Sequence, residues 1–276
     1  MVVLAAGGCG GSHHAAAKVE TTARTTETQL GYRVDVVGPL SVDVQGVFAR
    51  RGKLGQVGDA PLVLVDARMA SADAVAEAAR EHPSSQFALV GASARAEHVS
   101  NLTGIVLKDT DAAYLAGITA ALAAKDAGGS RVAWVGPEER PLAAAFTRGV
   151  RAGAAGVTVL RQWTKAIPAR CKEAALTTFD RGAVVVTAHG GLCAAAAADA
   201  AHEQNLPALE LDDFLLPSVA AATVAREASG GVFHGGQDVI FGIPSGAVGV
   251  RTLDPRISLA TVAQVRDAAQ SLAGAG

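Results

Sequence analysis

Residues 101–125 constrain the fold more than any other segment. They read NLTGIVLKDTDAAYLAGITAALAAK. The apolar and β-branched residues at 102–107 indicate a buried strand. Four polar residues then break the run, and apolar residues recur at helical spacing after them. The segment therefore predicts a strand, an acidic turn and a long apolar helix, with Asp109 or Thr110 as the N-cap.

The same alternation of short apolar runs and helical spacing extends along the chain. It is typical of α/β proteins with parallel sheets. Strands are predicted at 32–37, 62–65, 87–91, 102–107, 131–135, 157–163, 183–187, 208–211, 233–240 and 247–250. Residues 42–58 are irregular, with a short helix expected at 47–54. Strands and helices alternate in both halves of the chain, which predicts two lobes with a cleft between them.

Composition narrows the class of protein. The chain has 276 residues, of which 50% are hydrophobic, and a net charge of −2. It is therefore globular, and without a basic stripe it is not expected to bind nucleic acid. Only 4% of the residues are aromatic, so few rings can stack on a planar ligand. The sequence has no P-loop, nucleophile elbow or Cys-x-x-Cys pair, and we predict no enzyme activity, cofactor or metal site.

Several motifs from residue 114 onward resemble one protein family. Residues 114–117 read Tyr-Leu-Ala-Gly, and 131–136 read RVAWVG. Phe146, Gly149 and Gly153 match a Phe-x-x-Gly-x-x-x-Gly helix, and 246–258 read GAVGVRTLDPRIS. In order and spacing these motifs are similar to the basic-membrane-protein (BMP) family of ABC-transporter substrate-binding lipoproteins, the purine-nucleoside receptor group.

The resemblance implies an α/β fold of the two-lobed type I periplasmic-binding-protein-like class, with parallel sheets flanked by helices. Residues 31–107 would form the N-terminal lobe and 108–245 the C-terminal lobe. Residues 246–276 would be a closing strand and helix across the lobes. Residues 1–30 would be a lipoprotein signal remnant and tether, or a first strand and helix of the fold.

The function that the resemblance implies is capture of a small solute. The lobes would close around the ligand, a nucleoside in this family, and deliver it to an ABC permease. The alternative is a ligand-sensing or interaction protein on the same scaffold with no transport role. A polar cleft with a stacking ring would favour the receptor, and an apolar or collapsed cleft would favour the alternative.

The N-terminal segment has two interpretations. Small residues precede Cys9 and GGS follows it, as in a lipidation site that anchors a protein to the outside of the bacterial cell membrane. However, the apolar run at 2–6 is short for a signal peptide, and no Lys or Arg precedes it. In the other interpretation these residues are the first strand and its glycine-rich loop, and the protein is cytoplasmic.

Asp212 and Asp213 are the first candidates for ligand binding. Ligands of open parallel sheets bind beyond the carboxyl ends of the strands, and this pair follows the strand at 208–211. The family has an Asp-x-Asp here whose carboxylate holds ribose hydroxyls. A carboxylate that accepts two diol hydrogen bonds would reject deoxy analogues. The alternative interpretation is a helix-capping pair ahead of Phe214.

Two further loops carry candidate residues. Gly190 and Gly191 match the family's Gly-rich turn, where backbone N–H groups would meet ligand oxygens. The alternative is a tight turn that requires Gly, with His189 beside it as a hydrogen-bonded turn residue. Asp109 and Asp111 are interpreted either as ligand carboxylates or as a cap and a solvated turn.

The chain departs from the family pattern in two places. The family's Asp-Lys-Ser-Phe-Asn ligand loop is absent, and the Lys of the helix after the ribose Asp has only Arg226 as an equivalent. Separately, Cys171 and Cys193 both lie near helix starts at the ligand edge of the second lobe. They are candidates for a disulfide if the protein is exported.

Overall fold

The computed structural model describes residues 31–57 and 60–274. Cys9 lies outside these ranges. The described strands are β1 (Tyr32–Val37), β2 (Val47–Arg51), β3 (Leu62–Asp66), β4 (Gln86–Val90), β5 (Leu102–Leu107), β6 (Arg131–Gly136), β7 (Thr158–Trp163), β8 (Val186–Ala188), β9 (Ala208–Glu210) and β10 (Asp238–Phe241). The described α-helices are α1 (Ala72–Glu81), α2 (Asp109–Asp126), α3 (Arg140–Gly153), α4 (Pro168–Asp180), α5 (Leu192–Glu203), α6 (Pro217–Ser229) and α7 (Leu259–Gly274).

The strands form two parallel sheets. The first has the order β10-β5-β4-β3-β1-β2, and the second has the order β7-β6-β8-β9. All neighbouring strands in these sheets pair in parallel. Every residue of β3 is buried, because helices cover both faces, and the sequence is therefore a continuous apolar run. Parallel pairing also brings the carboxyl ends of the strands to one edge of each sheet.

The chain crosses between the sheets three times. The first crossing joins β5 of the first sheet to α2, which packs in the core of the second. The second joins Phe214, in that same core, to α6, whose Ala220 and Val224 pack in the core of the first sheet. The third joins β10 to α7. These three connections link two lobes, each built on one sheet.

The second and third crossings correct the predicted lobe boundary. The sequence placed residues 108–245 in the C-terminal lobe, but α6 packs on the first sheet and β10 pairs with β5. The strand predicted at 247–250 is reduced to one antiparallel bridge between Val248 and Leu215. An Ala-rich helix fits equally well against either sheet, so its pattern did not indicate which sheet it covers.

Strand β2 replaces the short helix predicted at 47–54. Most of its residues are exposed at the edge of the first sheet. Arg50 donates to Asp35 of β1 through two hydrogen bonds of 3.0 and 2.9 Å. The Asp35 side chain is fully buried, and the guanidinium compensates the cost of burying its charge. A long-range ion pair of this kind does not appear in local periodicity.

Helices α2 and α3 approach each other closely at two glycines. A Cβ atom on Gly117 would overlap the carbonyl oxygen of Phe146, and one on Gly149 would overlap the carbonyl oxygen of Tyr114. The Tyr-Leu-Ala-Gly and Phe-x-x-Gly motifs therefore meet in space. Their glycines allow the backbones to contact each other directly.

A disulfide joins the N-terminal halves of α4 and α5. Cys171 and Cys193 are bonded, with their Cα atoms 5.3 Å apart, and both residues are fully buried. The candidate pair from the sequence is therefore present as a disulfide. It fixes the start of α5 next to the glycine turn that precedes this helix.

We expect Gly149→Ala to lower the free energy of unfolding by about 1–3 kcal/mol, because the new methyl group collides with the backbone of α2. This loss should exceed the ~1 kcal/mol that Ala gains in helix propensity. Urea denaturation measures the change. Gly52→Ala is the control, because a Cβ atom there meets nothing within 4 Å. A Gly149→Ala variant as stable as the wild type would contradict the close contact.

Candidate functional site

A cavity opens where the carboxyl edges of the two sheets face each other. Its volume is about 310 Å³, which is within the range of small-molecule sites. One wall follows β3, β4 and β5, and the other is formed after β9 and at the second crossing. The polar lining residues are Asp66, Arg68, Asp109 and Asp212, and the other described lining residues are aliphatic or small, with no aromatic ring.

A second cavity of about 510 Å³ adjoins the first. The two cavities share Arg68, Asp212, Leu215 and Pro217 as walls. The cation comes from the first lobe, and the carboxylate comes from the end of the second sheet. These two charged side chains therefore lie at the centre of the cleft.

Asp66 holds Arg68 in a defined orientation. The Arg68 side chain donates through Nε at 2.9 Å and through Nη2 at 2.6 Å, and its backbone N–H donates at 2.9 Å. The side chain of Asp66 is only 4% exposed. Burial alone would raise the pKa of Asp66, but the hydrogen bonds from Arg68 outweigh it and hold this pKa below its usual value. The result is a fixed cation at the cleft surface.

Asp109 and Asp212 are the carboxylates that face this cation. Asp109 is the first residue of α2. Partial burial raises the pKa of Asp109, and the negative charges of Asp212 and Glu139 raise it further. Asp212 also interacts electrostatically with Arg68. The geometry thus brings together two acceptors that are favourable for a ligand rich in hydrogen-bond donors.

Asp213 and Asp111 have protein partners. Asp213 accepts a hydrogen bond of 3.0 Å from the backbone N–H of Glu210, as part of a capping box, although it also lines the second cavity. Asp111 forms an ion pair of 3.1 Å with Lys108 and accepts from the backbone N–H of Ile243 at 3.2 Å. Asp213 therefore has the capping contact of its alternative interpretation. Asp111, whose side chain is 18% exposed, has an ion pair and a backbone contact that neither of its interpretations predicted.

The loop from His189 to Gly191 lies outside the lining of both cavities. The His189 side chain is 3% exposed and stacks on Trp134 with ring centroids 4.8 Å apart. Its Nε2 has no hydrogen-bond partner among the described residues. Gly190 and Gly191 have φ angles of +94° and +58°, which favour Gly. The tight-turn interpretation accounts for these glycines without a ligand.

Arg68 was missed in the sequence analysis. The signal was available, because Asp66 and Arg68 follow the buried strand β3 just as Asp109 follows β5. Glu139, whose charge acts on Asp109, follows β6 in the same way. Arg226, the only equivalent of the family's Lys, lines neither cavity.

The comparison with protein families shows to which family this chain belongs. Residues 62–213, more than half of the chain, match the family model of the PnrA-like ABC transporter substrate-binding proteins, named Bmp. The chain belongs to this family. The match begins at β3 and ends at Asp213, so Arg68, Asp109 and Asp212 all lie inside it.

Solved structures agree with the fold of this Bmp protein. An ABC transporter solute-binding protein from Conexibacter woesei is 15% identical, with a TM-score of 0.62 over 88% of this chain and 96% of that one. One from Aeropyrum pernix is 17% identical, with a TM-score of 0.55 over 88% of this chain and 91% of that one. A transcriptional activator of the comK gene from Bacillus halodurans is 13% identical, with a TM-score of 0.59 over 88% and 98%. At these identities the likeness concerns the fold alone.

The predictions of the BMP family and of the type I periplasmic-binding-protein-like fold are confirmed. The family is one of substrate-binding proteins rather than of enzymes. Within residues 31–57 and 60–274, no helix combines the length and the apolar character that a membrane span requires. As a member of this family, the protein has a substrate-binding role on a two-lobed scaffold.

Asp109→Asn should raise the melting temperature at pH 7 by about 1–2 °C, because burial and the nearby Asp212 and Glu139 make ionisation of Asp109 costly in the folded state. Because the pKa of Asp109 is raised, this cost appears as the pH rises through that pKa. The gain should therefore disappear near pH 3, where the carboxyl is protonated in both states. Thermal unfolding at both pH values measures it.

Asp111→Asn is the matched control, two residues further along α2. It removes the ion pair with Lys108 and weakens the hydrogen bond from Ile243, so the melting temperature should fall by about 2–4 °C. Equal losses in both variants would contradict the assignment of Asp109 to the ligand site.

His189 should make the stability fall as the pH falls below about 6.5, the ordinary pKa of a histidine. Burial lowers the pKa of His189, and Glu139 and the backbone of Pro137 only partly oppose this effect. The unfolded chain therefore binds a proton at a higher pH than the folded chain, and the free energy of unfolding should fall as the pH falls. Urea denaturation should show a smaller fall in His189→Gln. Exposed His234 provides the control, and His234→Gln should keep the wild-type slope.

Proposed function

We propose that this substrate-binding protein captures a nucleoside in the 310 Å³ cavity and delivers it to an ABC permease. The observation that carries the proposal is the convergence of Asp109 and Asp212 opposite Arg68, at the carboxyl edges of both sheets. Asp109 and Asp212 supply acceptors, and Arg68 supplies donors, to the same cavity. A ligand of this size with both kinds of group satisfies them together.

The ribose of a nucleoside suits the carboxylates of Asp109 and Asp212 in the cleft. Vicinal hydroxyls donate two hydrogen bonds, and a carboxylate accepts both in one plane. Asp212 lines the cavity, and its carboxylate accepts no hydrogen bond from the described residues, in contrast to that of Asp213. We therefore assign the diol to Asp212, with Asp109 as a second acceptor.

The three crossings between the lobes support hinge closure as the mechanism. Leu107 and Leu215, at the first two crossings, line the cavity. Small changes in backbone angles at such connections move whole lobes. A ligand that contacts both Arg68 of the first lobe and Asp212 of the second lobe stabilises the closed form, since neither contact is complete in the open form.

The disulfide supports a location outside the cytoplasm. Buried disulfides persist in oxidising compartments and are rare in the bacterial cytosol. Lipidation of Cys9 would then hold the protein at the membrane beside its permease. This anchor is proposed from the sequence, because Cys9 lies outside the described residues.

A ligand-sensing role is the second candidate. The observation in its favour is the lack of an aromatic ring among the described lining residues of the first cavity, since a stacking ring was expected of a nucleoside receptor. Both candidates require ligand binding. Deletion of the gene separates them, because loss of nucleoside uptake supports transport, whereas normal uptake with altered gene expression supports sensing.

Asp212→Asn should weaken nucleoside binding about ten- to a hundredfold, because a hydrogen bond to a charged acceptor contributes about 1.5–3 kcal/mol. Isothermal titration with adenosine, inosine and uridine measures the affinity. A 2′,3′-dideoxy analogue should bind the wild type more weakly by a similar factor. This analogue should bind Asp212→Asn little more weakly than it binds the wild type, because it lacks the hydroxyls that Asp212 would bind.

Asp213→Asn is the control for this experiment. It weakens the capping box, so it should lower the stability by about 1 kcal/mol and leave the affinity unchanged. If no nucleoside binds the wild type, or if Asp213→Asn reduces the affinity more than Asp212→Asn, the proposed site is wrong.

A further inference from the structure

We infer that Arg68 selects ligands with two adjacent hydrogen-bond acceptors on one uncharged edge, and that it makes this cleft prefer 6-oxopurine nucleosides over 6-aminopurine nucleosides. The inference rests on the proposed function, and it concerns Arg68, which lines the same cavity as Asp109 and Asp212.

Hydrogen bonds to Asp66 occupy two of the five N–H donors of the Arg68 guanidinium. A guanidinium has five N–H donors, arranged in a rigid planar fork. Asp66 takes one from Nε and one from Nη2, at 2.9 and 2.6 Å. One N–H of Nη2 and both of Nη1 remain, and no acceptor for them is found among the described residues. One N–H of Nη2 and one N–H of Nη1 point in parallel directions, at the end of the guanidinium farthest from Nε.

This outer end is part of the cleft surface. Arg68 lines both cavities, and its side chain is 68% exposed, whereas that of Asp66 is 4% exposed. Two hydrogen bonds to Asp66 hold the guanidinium before a ligand arrives, and a third fixes the backbone of Arg68. Because the fork is already oriented, little conformational entropy is lost when it binds an acceptor pair.

Two parallel donors match two neighbouring acceptors. The edge of a 6-oxopurine presents O6 and N7, both acceptors, and arginine binds this pair through two hydrogen bonds. The same edge of a 6-aminopurine presents an amino donor beside N7. That amino group would face an N–H of Arg68, and one hydrogen bond would be replaced by a repulsion between donors.

Charge in the cleft favours the purine edge over the other common acceptor pair, a carboxylate. Asp66 neutralises Arg68, and Asp109 and Asp212 remain as negative charges near the cavity. Burial raises the pKa of Asp109, and repulsion by Asp212 and Glu139 raises it further. An anionic ligand would add to this repulsion, whereas an uncharged nucleoside fills the same hydrogen bonds without it.

The lack of an aromatic ring among the described residues that line the cavity fits the same account. Val90, Val106, Leu107 and Leu215 supply aliphatic surface to the faces of a planar ligand. Aliphatic contact does not distinguish one base from another, so the base is selected at its edge. Arg68 is the described cation that lines this cavity, and the selection is therefore assigned to it.

The test is isothermal titration of the full chain with inosine, guanosine and adenosine, repeated with Arg68→Lys. Lys keeps the positive charge but has no fork. The wild type should bind inosine and guanosine about tenfold or more tightly than adenosine. In Arg68→Lys this ratio should fall to near one.

Arg50→Lys is a matched control. Arg50 is held by buried Asp35 through the same two atoms, at 3.0 and 2.9 Å, but it lines neither cavity of the cleft. It should keep the wild-type preference. Melting temperatures of both variants check that each is folded.

The outcomes separate this inference from the proposed function. If the wild type binds nucleosides without preference for inosine and guanosine, or if Arg68→Lys keeps that preference, the role of Arg68 is wrong and the receptor function stands. If no nucleoside binds, both fail. Gluconate carries a carboxylate and several hydroxyls, and Arg68-dependent binding of gluconate without binding of inosine would overturn the assignment to an uncharged edge.

Discussion

Burial of parallel strands on both faces is the constraint on which this structure depends. Such strands have no exposed face for polar side chains, so charged residues are concentrated where the strands end. Asp66 ends β3 and Asp109 begins the helix after β5, while Asp212 follows β9. Two sheets whose carboxyl edges face each other bring these ends together, and the charged cleft follows from the packing.

The cleft combines residues that stabilise the fold with residues that do not. Asp66 and Asp111 accept hydrogen bonds from the protein and pair with Arg68 and Lys108. Asp213 accepts a hydrogen bond from Glu210, but burial and the charges of Asp212 and Asp254 still raise its pKa. Among the residues that the structure describes, Asp109 has no cationic partner of this kind, and burial, followed by the charges of Asp212 and Glu139, raises its pKa. Local features that cost stability without a structural gain are common at functional sites, and this contrast separates Asp109 from its neighbour Asp111.

Small residues determine how closely the second lobe packs. Gly117 and Gly149 bring α2 and α3 into backbone contact, and α2 begins with Asp109. The position of this carboxylate therefore depends on a helix contact more than ten ångströms away along α2, at 1.5 Å per residue. On the other side of the second sheet, the disulfide between α4 and α5 fixes the turn at Gly190 and Gly191.

The sequence by itself determined the fold class, the family and most of the elements. Apolar periodicity is local, so residues 62–65, 102–107 and the helix after Asp109 could be assigned without the structure. Tertiary structure alone decided three other features: β2 is a strand because Arg50 meets buried Asp35, α6 covers the first sheet, and Arg68 faces Asp212 across the cleft. Each of these depends on residues far apart in the chain. A local pattern records which side chains can be buried or charged, but not which distant partner each of them meets.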